Sequence, residues 1–184
     1  MPKPAYPKYT VLGILGIRPM TAGEVRKWIR DYLSPAAGVD ENAAVPALRT
    51  LEASGLVRRE ARGKEGGKNV YLLTPEGERE FSRWMESPAE DDRELVLKCS
   101  FGSRLPREVL KEKVRAFRAR CGEEIAAIET RENRIASLPD TSPEKPFLRS
   151  AARLALAISI AKSDWAQETL AMLEDLPEPR AHRA

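Results

Sequence analysis

Few side chains in this chain of 184 residues could carry covalent or metal chemistry. The single histidine, His182, lies in a Pro-rich C-terminal stretch, and the two cysteines, Cys99 and Cys121, lie outside any C-x-x-C pattern. Zinc sites and nucleophilic catalysis need histidine or cysteine beside suitable partners. The sequence therefore predicts a protein that is not an enzyme, binds no metal or cofactor, and carries two reduced cysteines with a structural role.

The cations offer a different chemistry, the binding of phosphates. Residues 1–87 contain 14 Lys and Arg against 11 Asp and Glu, a net charge of +3, whereas residues 88–184 contain 17 of each. Within the stretch 58–68, Arg58, Arg59, Arg62, Lys64 and Lys68 face only two glutamates. A modest overall charge with a local cationic loop is more typical of docking into a DNA groove than of general polyanion binding.

The segments around this loop predict a winged helix-turn-helix. Val45, Leu48 and Leu51 recur at near-helical spacing, and Gly55 can take the left-handed conformation that closes a helix. Two short apolar runs, 56–57 and 70–73, flank the cationic loop and indicate a β-hairpin with a basic tip. Such a module lays its recognition helix in the major groove and rests the hairpin beside the DNA backbone.

Three further helices are expected in this half. The apolar run 9–17 predicts a short core helix, and a Pro at its first position opens a helix over 75–85. Thr21 and Glu24 have the spacing of a capping box at the start of a helix that reaches about Leu33. Lys27 lies on the cationic face of that helix, which either faces solvent or crosses the phosphate backbone.

The second half has the pattern of long paired helices. Val114, Cys121, Ile128 and Ile135 recur at intervals of seven residues in a helix over 106–138, and Ala151, Ile158, Trp165 and Met172 do so in a helix over 147–176. Two such helices alone cannot bury both stripes, so the pattern predicts partner helices in a homodimer. The expected dimerisation residues are Val114, Phe117, Cys121, Ile128, Ile158, Trp165 and Met172.

The expected fold is mainly α with a small β-hairpin. We place a winged helix-turn-helix domain at 1–87, a long-helix dimerisation domain at 93–177 and a disordered tail at 178–184. Neither a membrane-length apolar run nor a signal peptide is recognisable, so the sequence predicts a cytoplasmic protein without membrane contact.

A series of ordered motifs resembles the PadR-like transcriptional regulators over nearly the whole chain. They are Ile14-Leu15-Gly16, Pro19-Met20-Thr21, the stretch VPALRTLE from Val45 with Gly55-Leu56-Val57, Tyr71-x-Leu-Thr-Pro-Glu-Gly, Leu97-Lys98-x-x-Phe101 and the late Trp165. The resemblance implies an N-terminal winged helix, a C-terminal helical dimerisation domain and repression at promoters. In some members it also implies release from DNA by a small aromatic or hydrophobic compound.

Two departures from the family bear on DNA contact. Gly23 and Val45 stand where the family often has tyrosines whose hydroxyls meet phosphates. Other donors on the same surface can replace them, because phosphate contacts are interchangeable in chemistry. The candidate DNA-binding residues are Thr21, Lys27, Asn42, Val45, Arg49, Arg62, Lys64 and Lys68. Asn42 suits either a contact to adenine or the cap of the recognition helix.

The leading hypothesis is a dimeric repressor that binds an inverted-repeat operator in double-stranded DNA. The alternative is a winged-helix module that has weakened or lost DNA binding and contacts a protein partner instead. A small aromatic effector would contact Trp165, Ile158 and Ala161, where small neighbouring residues leave apolar volume. The alternative for Trp165 is a place in the dimer core, where a Trp on the inner stripe of a helix is more often found.

Overall fold

The computed structural model describes residues 6–33, 35–61 and 69–177. In the first half the elements are α1 (Tyr6–Leu15), β1 (Met20–Thr21), α2 (Ala22–Tyr32), α3 (Ala44–Ala53), β2 (Val57–Glu60), β3 (Val70–Leu73), α4 (Pro75–Glu86) and α5 (Asp92–Ser100). Short 3-10 turns cover Pro35–Ala37, Glu41–Ala43 and Gly102–Arg104. Two long helices follow, α6 (Arg107–Ala136) and α7 (Lys145–Asp175). The expected mainly helical fold is confirmed.

The expected hairpin is present and gains a third strand. Strands β2 and β3 pair antiparallel, with Val57 opposite Leu73 and Glu60 opposite Val70. Strand β1 pairs with the other edge of β3, with Met20 opposite Tyr71, which gives the order β1-β3-β2. Two residues are too few to form a recognisable alternation of apolar and polar side chains, so the sequence did not predict β1.

Helix α5 packs with the first half of the chain. The chain divides into two compact units between Pro106 and Arg107, which is later than the limits of 87 and 93 expected from the sequence. Leu97 and Phe101 are buried in the core of the first unit. The Phe101 ring lies so close to α1 that a Cβ at Gly13 would be 2.7 Å from it. That residues 1–87 form a domain of their own stays a prediction.

The buried side chain of Lys98 links α5 to the segment that follows α4. Lys98 is fully buried, and its Nζ lies 3.0 Å from Glu94 Oε1. The same ammonium donates to the backbone carbonyl oxygens of Ser87 at 2.7 Å and Pro88 at 3.2 Å. Burial lowers the pKa of Lys98, while Glu94 opposes that change. The polar stretch after α4 is therefore anchored within the first unit.

In the second unit, α6 and α7 form an antiparallel hairpin. Arg107 Nη2 donates to the carbonyl oxygen of Pro177 at 2.6 Å, and Lys111 Nζ lies 3.6 Å from Glu174. The buried side of α6 comprises Leu110, Val114, Phe117, Cys121, Ile128 and Ile135. On α7 the buried residues are Ala152, Ser159, Ala166 and Leu173, again seven apart.

The buried series on α7 lies one residue later than the series identified from the sequence. Ile158 and Met172 are exposed, and Trp165 is half-buried. Hydrophobic periodicity overlooks the buried series because Ala, Ser and Ala supply little apolar surface, although small contact residues let two helices approach closely. Helix α7 thus carries one seven-residue series toward α6 and a second, more apolar series at its surface.

Two expectations concern the remaining chain. Among the helices that the structure describes, none is long and apolar enough to cross a membrane. The tail predicted at 178–184 lies outside the described residues.

Burial raises the pKa of the Cys99 thiol to about 12.

Candidate nucleic-acid interface

Thr21 forms the expected capping box at the start of α2. Its Oγ1 accepts a hydrogen bond from the Glu24 backbone N–H at 3.2 Å, and the Thr21 N–H donates to Glu24 Oε2 at 2.7 Å. The hydrogen bond from the Thr21 backbone is the main cause of the lowered pKa of Glu24. Because the Thr21 hydroxyl acts as an acceptor within the helix, its own proton remains available to a phosphate oxygen.

Asp40, and not Asn42, caps the recognition segment. Asp40 Oδ1 accepts from the Asn42 backbone N–H at 2.8 Å and from Asn42 Nδ2 at 3.0 Å. Arg26 Nη2 donates to Asn42 Oδ1 at 3.0 Å. The interpretation of Asn42 as the cap is therefore wrong, since an acidic residue two positions earlier receives the free N–H. Both ends of the Asn42 amide are hydrogen-bonded within the chain.

Helix α3 separates a buried from an exposed side. Ala44, Leu48 and Leu51 are buried in the first unit, as the spacing predicted for the two leucines. Val45 is half-buried and contributes only methyl groups to the surface. The exposed residues are Pro46, Arg49, Thr50 and Ala53. The outer face of the helix therefore holds one cation and few polar atoms.

Most surface arginines near this face are already paired with carboxylates. Glu41 lies 3.1 Å from Arg30 Nη1 and 3.7 Å from Arg26 Nη2, so one glutamate bridges two arginines of α2. In the same way Arg59 lies 3.1 Å from Glu52, and Arg58 lies 2.6 Å from Glu60. The role of Glu41 was not predicted from the sequence, although Arg26 and Arg30 have the spacing of one helix face to which a nearby carboxylate could bind.

Lys27 and Arg49 differ from these arginines. Both are exposed, and neither forms an ion pair or side-chain hydrogen bond with any residue in 6–33, 35–61 or 69–177. The structure thus places two available cations on successive helices. The other expected cations, Arg62, Lys64 and Lys68, lie outside the described residues.

The expected dimerisation residues fall into two groups. Val114, Phe117, Cys121 and Ile128 are buried within a single chain, on the side of α6 that forms the hairpin core. Ile158 and Met172 on α7 are 46% and 52% exposed. They belong to an outward apolar stripe, which we call the α7 stripe and define as Phe147, Leu154, Ile158 and Met172.

Trp165 lies at the edge of the hairpin core. Its ring meets Phe117 edge to face, with the centroids 5.7 Å apart and the planes at 86°. Ala161 is exposed one turn earlier. A shallow cavity of about 420 Å³ lies beside Ile158 and is lined by Glu124, Ala127, Ile128, Arg131, Ala155, Ile158 and Ser159.

Two family models match the chain in succession. Residues 11–83 match the transcriptional regulator PadR-like family, and residues 93–174 match the model described as virulence activator alpha C-term. No curated protein sequence matches the chain.

Several solved structures are similar to the chain at low identity. PadR of Bacillus subtilis in complex with operator DNA is 20% identical, with 90% of this chain and 98% of that chain covered and a TM-score of 0.38. The same protein in complex with p-coumaric acid is 18% identical, with coverages of 96% and 100% and a TM-score of 0.41. The Vibrio cholerae virulence activator AphA is 20% identical, with coverages of 92% and 98% and a TM-score of 0.38.

The family matches confirm the resemblance seen in the motifs. The PadR-like model covers the helices and strands that carry the candidate nucleic-acid interface, and the second model covers α5, α6 and most of α7. Residues 11–83 of the chain thus match the PadR-like family of transcriptional regulators, the family that the motifs resemble.

Proposed function

We propose that this protein is a sequence-specific DNA-binding regulator that acts in the cytoplasm as a homodimeric repressor on an inverted-repeat operator. The observation that supports it most is the distribution of charge on α2 and α3. Arg26 and Arg30 share the carboxylate of Glu41, and Arg30 also pairs with Asp31, whereas Lys27 and Arg49 are exposed without a partner in the described part of the chain. Cations left available on two successive helices suit a surface that meets DNA.

The proposed contacts described here go to the DNA backbone. Thr21, which precedes α2, and Lys27, which lies on α2, donate to phosphates. Val45 contributes van der Waals contact where the family often has a tyrosine, so each half-site loses one hydrogen-bond donor there. The wing cations Arg62, Lys64 and Lys68 are proposed as further phosphate contacts from their sequence alone.

The test uses the full chain and the DNA beside its own gene, together with duplexes selected from a random-sequence library. Each phosphate contact contributes about 0.9 to the slope of log affinity against log salt. Lys27→Ala in both subunits should therefore flatten the slope by about 1.8, whereas Arg149→Ala on the exposed side of α7 should leave it unchanged. An unaltered slope removes Lys27 from the interface. Failure to select any sequence favours the alternative, a protein-interaction module.

We also propose that the α7 stripe forms the dimer interface. Phe147 and Leu154 are 76% and 64% exposed, which is unusual for large apolar side chains on one face of a 31-residue helix. A second copy of the hairpin would remove this apolar surface from water and bring two recognition helices under one two-fold axis.

Leu154→Glu tests this interface. A buried unpaired carboxylate opposes association, so sedimentation velocity should show monomers at concentrations where the parent protein is dimeric. Ile17→Glu, a matched change at a residue 54% exposed in the first unit, should leave the dimer intact. A Leu154→Glu variant that stays dimeric places the interface elsewhere.

A small aromatic or hydrophobic effector is proposed to bind near Trp165, Ile158 and Ala161. The cavity supports this proposal at Ile158, and its lining contains neither Trp165 nor Ala161. Trp165 offers a half-buried aromatic ring beside Phe117, about two turns of α7 further along. Planar phenolic compounds should quench tryptophan fluorescence in the parent protein but not in Trp165→Phe, and should weaken operator binding. Quenching without any loss of DNA affinity contradicts an effector role, since a ligand shifts an equilibrium only by preferring one state.

A further inference from the structure

The exposed stripe of the recognition segment contains few side chains that can read a base. Asn42, Pro46, Arg49 and Ala53 follow each other at intervals of four, three and four residues, and Thr50 lies beside them; all five are exposed. The spacing of Pro46, Arg49 and Ala53 places them along one face of α3, and Asn42 precedes the helix in the 3-10 turn Glu41–Ala43. Pro46 and Ala53 have no side-chain hydrogen-bonding group, so direct reading of base edges falls to Asn42, Arg49 and Thr50.

Two of these three are engaged within the chain. The Asn42 amide oxygen accepts from Arg26 and its nitrogen donates to Asp40, so each atom that would pair with adenine already makes one hydrogen bond within the chain. The Thr50 hydroxyl donates to the backbone carbonyl oxygen of Pro46 at 3.1 Å. The bonds to Arg26 and Asp40 hold the Asn42 amide in one orientation, so it reads adenine only where its second N–H and second lone pair face the base.

Arg49 has neither restriction. Within the described part of the chain its guanidinium makes no hydrogen bond or ion pair, and none of its donors is therefore committed. Its neighbours on the stripe, Pro46 and Ala53, are short, so the helix can approach the floor of the groove closely. Arg49 is the longest side chain on this stripe.

We infer that Arg49 is the specificity-determining residue of the recognition helix and reads one guanine in each half-site through the major groove. The planar guanidinium donates two parallel hydrogen bonds to guanine N7 and O6, a pairing that no other base edge offers. This inference rests on the proposed function. It differs from a role for Arg49 in phosphate binding, in which the side chain would add affinity without sequence preference.

The probe is the duplex that the full-length parent protein selects from a random-sequence library. Each guanine in a half-site is replaced in turn by 7-deazaguanine, which lacks N7 but keeps Watson–Crick pairing. At one position this replacement should weaken binding about fivefold to tenfold. Inosine at that position keeps N7 and O6 and lacks only the minor-groove amino group, so it should bind with nearly unchanged affinity.

The protein variants then assign the contact. In Arg49→Ala, 7-deazaguanine at the sensitive position should cause no further loss, while sensitivity at other positions remains. Arg49→Lys keeps the charge but loses the fork, so it should retain affinity for random DNA and lose discrimination at that position. Lys27→Ala should weaken every duplex alike and leave the pattern of sensitive positions unaltered.

The outcomes separate this inference from the function on which it rests. A selected half-site without guanine, or an Arg49→Ala variant that weakens all duplexes equally and flattens the salt slope, overturns base reading by Arg49 while DNA binding stands. If the parent protein selects no sequence at all, both proposals fall. An Arg49 variant that unfolds at the same temperature as the parent protein is correctly folded, and this is the expected result for a change at an exposed residue.

Discussion

Glu41 bridges Arg26 and Arg30 and thereby reduces the positive charge that α2 presents. Replacing it with Gln removes one negative charge and both of these ion pairs, while Arg30 keeps Asp31 at 3.2 Å and Arg26 keeps its hydrogen bond to Asn42. We expect Glu41→Gln to bind random-sequence DNA more tightly and with a steeper salt slope, by about 0.9 for each phosphate newly contacted. Fluorescence anisotropy of a labelled random duplex at several salt concentrations measures both quantities.

The control for Glu41 is Glu129→Gln, which removes the same charge from an exposed site on α6. It should alter neither affinity nor slope beyond the small effect of net charge. Equal behaviour of the two variants would mean that Arg26 and Arg30 do not meet DNA when released.

Tyr6 and Asp91 form a pair whose contribution to stability depends on pH. The Tyr6 hydroxyl donates to Asp91 Oδ2, and Asp91 Oδ1 accepts from the Glu94 backbone N–H at 2.9 Å at the start of α5. Burial, then the hydrogen bond to Asp91, raises the pKa of Tyr6. For Asp91, burial acts to raise the pKa, but hydrogen bonds led by that from Tyr6 outweigh it and lower the value.

Tyr6→Phe should therefore destabilise the protein in a limited pH range. Ionised Asp91 stabilises the fold at pH values above 3.8, its ordinary pKa, and this contribution is lost as the pH falls through the lowered pKa. Protonated Tyr6 stabilises the fold at pH values below 10.0, its ordinary pKa, and this contribution is lost as the pH rises through the raised pKa. We expect a loss of about 1 kcal/mol between these limits, a low figure because Asp91 is exposed.

Urea unfolding from pH 3 to pH 9 measures this difference in the free energy of unfolding. Tyr32→Phe, at a tyrosine that is 73% exposed, should show no such profile. A Tyr6→Phe penalty that stays constant down to pH 3 would show that it arises from packing and not from the ionised Asp91.

At the scale of elements, one glycine sets how closely α4 approaches the end of α3 and the sheet. A Cβ at Gly77 would lie 2.1 Å from the Leu56 carbonyl oxygen and 2.7 Å from Leu73 Cδ1. Gly23 in the first turn of α2 has no such neighbour, since its Cβ would lie 4.0 Å from Thr21 Oγ1. The same substitution should therefore have opposite effects at the two sites.

Gly77→Ala should destabilise the protein by about 2 to 3 kcal/mol, because backbone must move to admit the methyl group. Gly23→Ala should stabilise it by about 0.5 to 1 kcal/mol through helix propensity. Chemical denaturation of both variants gives the two values. A Gly77→Ala protein as stable as the parent would mean that α4 can shift without loss of packing.

The elements with large apolar side chains at regular spacing could be predicted from the sequence. The helices, the hairpin flanking the cationic loop and the Thr21–Glu24 capping box are all present. Features that depend on contacts distant in sequence could not be predicted in this way. Strand β1 forms only by pairing with β3. The buried series of α7 consists mainly of small residues, which are recognised as core residues only once α6 is packed against them.

The candidate site shows the same division. Arg49 and Lys27 could be identified from charge and helix position alone. The engagement of Asn42 by Arg26 and Asp40, and of Arg26 and Arg30 by Glu41, joins α2 to the 3-10 turn that precedes α3. No single helical pattern contains both partners of such a bond, so the sequence overstated the number of available donors.

At the scale of the whole molecule, the limits of the two units predict how fragments behave. Phe101 packs against Phe81 edge to face at 5.6 Å and stacks on Trp28 at 5.9 Å. Residues 1–106 should therefore unfold cooperatively as a monomer. Residues 1–87 lack α5 and should expose this core, so we expect a broad, low-temperature transition and binding of a hydrophobic dye.

Circular dichroism melting and sedimentation distinguish these fragments. Phe101→Ala in the longer fragment should lower the melting temperature strongly, since truncating a buried Phe typically costs about 3 to 5 kcal/mol. Equal melting temperatures for fragments 1–87 and 1–106 would instead support the earlier boundary expected from the sequence.

The pairing of surface arginines with glutamates also bears on how many copies a cell needs. A chromosome offers about a million or more competing sites, so a strongly cationic regulator spends most of its time on irrelevant DNA. In this protein Glu41, Glu52 and Glu60 neutralise neighbouring arginines, which weakens the attraction to random sequence. Fewer molecules are then held away from the operator, and a smaller pool suffices to keep it occupied.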